Sequence, residues 1–226
     1  MQESSMLRVI VLFLSVSMSF STFSATNLTR LNDHGIEKWQ PKVFSGECIY
    51  SVREHKGRIA LQALSDSSAS GLVLEQSVDL SVTPYISWSW LIEKQLLELN
   101  ELSKDGDDFV ARIYVVIDGG FMVWKTKSLS YVWSSNQAQG KIWDNPFAGS
   151  NVKMMSIQGS TAEKGKWYDE KRNLYQDLIA AFGDQGSESA NLKAYKNIDI
   201  IAIMTDTDNS KKTAESYYGD IIFSQK

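Results

Sequence analysis

Cysteine, histidine and proline are nearly missing from this chain. Cys48 stands alone, with only His34 and His55 beside it, among 226 residues. One thiol excludes an internal disulfide, and one thiol with two imidazoles excludes a multi-cysteine zinc centre. Basic blocks are missing too: 23 Lys and Arg against 27 Asp and Glu give a net charge of −4. A mildly acidic chain without a Lys/Arg run is a poor nucleic-acid binder. There is no Gly-x-Ser-x-Gly, no histidine-bearing metal motif, no phosphate loop and no Gly-x-Gly-x-x-Gly, so none of the chemistries those patterns serve is signalled. Internal repeats, low-complexity linkers and βαβ alternation are also lacking. Beyond residue 25 no stretch is long and apolar enough to span a bilayer.

What is present begins with a leader. Arg8 precedes the apolar run Val9–Met18, and a Ser-, Thr- and Phe-containing stretch leads to the small pair Ser24-Ala25, with Phe23 a departure from the small-residue rule. This pattern predicts a signal peptide over residues 1–25, cut after Ser24 or Ala25, and a periplasmic or secreted protein. Met6 offers a cleaner start than Met1 because it removes Glu3. A buried N-terminal strand and an uncleaved anchor are the alternatives. Cys48 follows no lipobox near the leader, so no lipid anchor is expected. Residues 26–226, about 200, suffice for a single domain with its own core.

The mature chain reads as short strands. Glu47–Val52 and Arg58–Leu64 flank the turn Glu54–Gly57, and Leu72–Leu80 follows a small polar loop. The clearest strand follows Pro84: Ile86, Trp88, Trp90 and Ile92 on one face, Ser87 and Ser89 on the other. Leu96, Leu97, Leu99 and Leu102 suggest a short helix between Glu93 and Asp108. Further strands are expected at Phe109–Ile117, Leu129–Trp133, Val152–Ile157, Trp167–Arg172, around Ala202 and at Tyr217–Ser224. Asn173 looks like the N-cap of a helix over Leu174–Phe182 that Gly183 stops. Nine or ten strands with one or two short helices point to an all-β, antiparallel two-sheet β-sandwich, a jelly roll.

The candidate chemistry is aromatic and acidic. Trp88 and Trp90, with Tyr131 and Trp133, serve either as core or as a platform on which sugar faces stack. Asp105, Asp107 and Asp108 open one strand, and Asp206, Asp208 and Asn209 close another. Such clusters are either turn chemistry or part of a calcium site, although neither has EF-hand spacing. Arg112, inside an apolar strand, needs a carboxylate partner or a bound anion unless its sheet face is exposed, and Asp108, Asp206 and Asp220 are the candidate carboxylates. If the Phe109 and Ile198 strands are antiparallel neighbours, the two acidic loops meet at one rim around Arg112. Cys48 reads as an inert, buried mid-strand thiol. The candidate ligand-binding set is therefore Trp88, Trp90, Arg112, Tyr131, Trp133, Asp107 and Asp108. The candidate metal set is Asp206, Asp208 and Asn209. Apart from calcium no cofactor is expected.

Several segments resemble a bacterial family of exported proteins, domain of unknown function 3047. They are Gly46–Tyr50, Ser68–Gly71, Trp88-Ser-Trp90, Gly106–Val115, Tyr131-Val-Trp133, Ala181–Gly183, Thr205–Asn209 and Tyr217–Ile221. The closing Tyr-Gly-Asp-Ile strand is also similar to the last strand of galactose-binding-like carbohydrate-binding jelly rolls. The resemblance implies the fold and export, and transfers no activity. The functional expectation is an exported, non-catalytic protein that binds a glycan or other envelope component. The alternatives are a polysaccharide hydrolase or lyase with paired aspartates, and a structural envelope protein.

Overall fold

The computed structural model of the chain describes residues 25–122 and 125–226. The expected leader lies outside these residues except for Ala25. In chain order the strands are β1 (Ala25–Asn27), β2 (Gln40–Ser45), β3 (Ile49–His55), β4 (Arg58–Asp66), β5 (Ala69–Asp79), β6 (Tyr85–Lys94) and β7 (Arg112–Ile117). They continue as β8 (Lys127–Trp133), β9 (Ile142–Asn145), β10 (Gly149–Gln158), β11 (Tyr168–Asn173), β12 (Asn197–Asp206), β13 (Thr213–Tyr218) and β14 (Ile222–Ser224). Helices α1 (Leu174–Phe182) and α2 (Glu188–Tyr195) lie between β11 and β12.

Two seven-stranded sheets result. The first is built around β6. β11 pairs with one edge, while β13 and β14 follow each other along the opposite edge, Tyr218 facing Trp90 and Ile222 facing Ser87. β4 and β3 extend the sheet beyond β13, and β1 pairs with β14. The second runs β2-β5-β12-β7-β8-β10-β9. The chain changes sheet at β1–β2, β2–β3, β4–β5, β5–β6, β6–β7, β10–β11, β11–β12 and β12–β13, which weaves the two layers into a jelly roll.

The period-two pattern of β6 fixes what lies between them. Ile86, Trp88, Trp90 and Ile92 are all buried, facing Tyr131 and Trp133 of β8, Ile113 and Val115 of β7, and Ile201 and Ile203 of β12. The rings touch: Trp88 stands edge-on to Trp90 at 5.3 Å and stacks on Tyr131 at 5.1 Å, and Trp90 meets Trp133 at 5.7 Å. Each such side chain buries much apolar area, so this aromatic column supplies a large share of the core.

Some expectations need correction. One strand pair, β8 with β10, is parallel, the chain returning through β9 on the sheet edge. Fourteen strands are present among the described residues rather than nine or ten, because short or solvated ones such as β2 carry no alternation. Between Glu93 and Asp108 there is only a 3-10 turn at Lys104–Gly106. Glu98 there has φ 59°, a left-handed value that breaks a helix, and Leu102 is exposed rather than part of a buried stripe. Cys48 precedes β3 instead of lying within a strand, is half-buried, and its thiol donates to the Thr205 carbonyl at 3.1 Å. Helix α1 forms as expected: Asn173 Oδ1 accepts the Gln176 N–H at 3.1 Å.

Candidate ligand-binding groove

Strands with one face on the core turn every second residue the other way. On the second sheet that outer face carries Gly71 and Val73 of β5, Ile200, Ala202 and Met204 of β12, and Arg112, Tyr114 and Val116 of β7. They floor a groove of about 530 Å³, a size suited to a small ligand or a short segment of a longer one. Phe44 of β2 and Phe147, just past β9, both line it. These two strands are the opposite edges of the sheet, six spacings apart, roughly 29 Å if the sheet were flat. For both to reach one groove the sheet must curl around it. Phe44 is 65% exposed and Phe147 55%.

One end of the groove is polar. β7 and β12 are antiparallel neighbours, so the loop before β7 and the turn after β12 adjoin. Asp206 Oδ1 accepts the Phe109 N–H at 3.2 Å and the Arg112 Nε–H at 3.0 Å, and Oδ2 accepts from Arg112 Nη2. The same Nη2 donates to the Asp107 carbonyl at 3.3 Å. The guanidinium carbon lies 4.7 Å from the Phe109 ring centre and 5.4 Å from that of Tyr114, a desolvated cation–π arrangement. Asp108 ties the loops together: Oδ1 accepts from the Asn209 backbone and side chain, both at 3.2 Å, and Oδ2 from the Ser210 N–H at 2.6 Å. Asp107 Oδ2 accepts from Asn145 Nδ2 at 2.8 Å, while Oδ1 has no partner among the described residues.

Burial pushes the Asp206 carboxyl up to about 7, against the pull of Arg112 and with a further push from Asp108. Burial also opposes the charge on Arg112, yet Asp206 and Asp107 outweigh it and hold the guanidinium protonated. The partners thus point in opposite senses. Three donors converge on the two oxygens of Asp206, so the ionised carboxylate is the form the geometry holds. Burial likewise raises Asp107, with Arg112 opposing and Asp108 and Asp208 adding.

Of the expected site residues, Asp107, Asp108, Arg112, Asp206, Asp208 and Asn209 come together here. Arg112 takes Asp206 as its partner. Asp220 is engaged elsewhere, accepting from Asn27, Thr29 and Leu31. Trp88, Trp90, Tyr131 and Trp133 do not join them. At 3% exposure or less they are interior, and no ring presents a face for a sugar to stack on. The sequence reading missed Phe44, Tyr114, Asn145, Phe147 and Met204. Tyr114 shares its strand face with Arg112, which was signal enough; Phe44 and Phe147 sit in short solvated segments with no pattern around them.

A search of curated proteins finds no match. Among solved structures, the xyloglucanase domain of NopAA, a type three effector from Sinorhizobium fredii, in complex with cellobiose, is similar at TM-score 0.45 and 11% identity, covering 82% of this chain and 92% of that one. A cellulase derived from Cel12A of Rhodothermus marinus gives 0.42 and 8%, with coverage of 90% and 100%. The cellulose induced protein Cip1 gives 0.43 and 10%, with 82% and 91%. Likenesses this distant carry no inference about ligand or chemistry. Residues 37–222 match the family described as protein of unknown function, DUF3047, and because that span covers most of the chain, the protein belongs to this family.

Proposed function

We propose that the protein is an exported, non-catalytic binding protein whose groove takes a segment of a glycan chain. The observation that carries this reading is the placement of Phe44 and Phe147, largely exposed rings on opposite edges of one sheet that line the same groove. Large apolar side chains left in water and gathered at a concavity suit a ligand with apolar faces. Sugar rings have such faces, and their hydroxyls need the polar partners that Asp107, Asn145, Asp208 and Asn209 supply at one end. Export rests on the leader; mass spectrometry of the native protein should place its N-terminus near Ala25 or Thr26, and an intact Met1 or Met6 would refute it.

The carboxylate layout favours binding over hydrolysis. Glycoside cleavage uses two carboxyl groups facing each other across the bond, about 5–10 Å apart. Here the groove's carboxylates, Asp107, Asp206 and Asp208, gather at one end, and the remaining lining holds no further carboxylate.

Calorimetric titration of the mature protein with soluble polysaccharides and peptidoglycan fragments tests the reading. Binding should weaken at least about tenfold in Phe44→Ala and in Phe147→Ala, with little change in melting temperature, as for exposed positions. No binding to any glycan or peptidoglycan fragment would sink it, and cross-linking to a partner protein in intact cells would then support a structural role. Turnover of a glycan that disappears in Asp107→Asn or Asp208→Asn would replace it with the enzyme reading.

A further inference from the structure

The two loops at the polar end hold more carboxylate than the fold uses. Asp108, Asp206 and Asp208 each offer an oxygen, and the three lie within 4.8 Å of one another. A carboxylate oxygen accepts about two hydrogen bonds. Asp206 Oδ1 is full, with Phe109 and Arg112, and Oδ2 holds only Arg112. Asp108 Oδ1 is full, with Asn209 twice, and Oδ2 holds only Ser210. One lone pair therefore stays open on each residue. Asp208, half-exposed in the groove, takes no hydrogen bond among the described residues.

A second observation is independent of this cluster. The Asp107 side chain, 6% exposed, lines the same end of the groove, and its Oδ1 is buried without a partner. Ser210 Oγ, beside Asp108, is buried and unpartnered too. Buried oxygens of this kind are rare because each forfeits its hydration. Water would satisfy their lone pairs but would leave the crowded negative charge, because the Arg112 guanidinium is already taken by Asp206. A hard cation satisfies both.

We infer that Asp108, Asp206 and Asp208, with Asp107 beside them, form a site for a hard divalent cation of the calcium class. The donors are all oxygen, which disfavours soft metals. The three oxygens lie within 4.8 Å of one another, so one cation can reach all of them. Several converging carboxylates suit calcium, which takes about six to eight oxygen ligands, better than magnesium, which keeps most of its waters and is held through one or two carboxylates. Asn209, expected as a ligand, donates its amide nitrogen to Asp108, and Asp108 joins the expected pair Asp206 and Asp208. The site joins the loop before β7 to the turn after β12. It goes beyond the glycan reading and stands without it.

Calcium titration of protein stripped with a chelator, followed by calorimetry and by melting temperature, tests the site. One saturable site is expected, with a rise of about 5–10 °C at a hundredfold excess over Kd. Asp208→Asn loses no hydrogen bond, so its melting temperature in chelator should be unchanged or raised, while its calcium affinity falls at least about tenfold. No saturable uptake at millimolar calcium, or undiminished affinity in Asp208→Asn, would overturn the site. Equal affinity for magnesium would overturn the assignment to calcium.

Discussion

Arg112 keeps a full charge at 3% exposure because Nε and Nη2 find acceptors and two aromatic rings lie against its plane. Removing one partner of such a pair strands the other. Arg112→Leu should therefore lower the unfolding free energy by about 3–5 kcal/mol, and replacing Asp206 by Leu as well should restore part of that loss, both read from urea midpoints. Glu101 is the second buried charge of consequence. It accepts from Ser134 Oγ and the Ser135 N–H, each at 2.5 Å, and burial raises its pKa against those two bonds. A raised folded pKa means that the folded protein binds this proton more tightly than the unfolded chain. Its contribution to stability is then present in acid and is lost as pH rises through the raised value. The wild-type protein should lose stability relative to Glu101→Gln as pH goes from about 4.5 to 7; parallel curves for the two proteins would contradict this. At this scale the sequence was readable where one residue contradicts its surroundings. A lone arginine in an apolar strand demands an acid, and Asp206 was among three named. Trp88 and Trp90 contradict nothing around them, so their alternation gives a shared face and leaves open whether water or the other sheet covers it.

The loop from β6 to β7 places Asp107 and Asp108, and Gly106 lets it do so. A Cβ at this position would overlap the Asn100 backbone, reaching its carbonyl carbon at 2.6 Å and its nitrogen at 2.8 Å. Backbone cannot swing aside as a side-chain end can. Gly106→Ala should destabilise the fold by about 1–3 kcal/mol, as overpacking does, and should weaken any ligand bound at the polar end of the groove. Normal binding in a variant of normal stability would show that the loop has room. Elements were legible where alternation or caps are strong, as in β6 and α1. Helix α2 escaped because its apolar residues, Ala190, Leu192, Ala194 and Tyr195, do not gather into a clear stripe, and its one clear sign, Ser187 accepting from the Ala190 N–H at 3.2 Å, is a common cap. In β7, Phe109–Ala111 read as strand yet precede the ladder, because the loop uses the Phe109 N–H and carbonyl to bind Asp206.

At the scale of the molecule, many short strands with few helices and no βαβ alternation pointed to a two-sheet sandwich, and the two sheets are present. Their neighbours were readable where a tight turn joins them, as in β3 and β4, and not elsewhere. The parallel pairing of β8 and β10 and the curl that brings Phe44 toward Phe147 depend on partners far apart in sequence, about which local pattern is silent. The layers meet on the aromatic column, so Trp90→Ala should cost about 3–5 kcal/mol, seen as a lower denaturant midpoint with an unchanged slope. That column has an optical consequence. Trp88, Trp90, Tyr131 and Trp133 are held at fixed angles on strands of both layers, and rings so coupled give circular dichroism that none gives alone. The near-ultraviolet spectrum therefore reports the docking of one sheet on the other, and should vanish before the far-ultraviolet strand signal in any state that keeps its strands but loosens its interior.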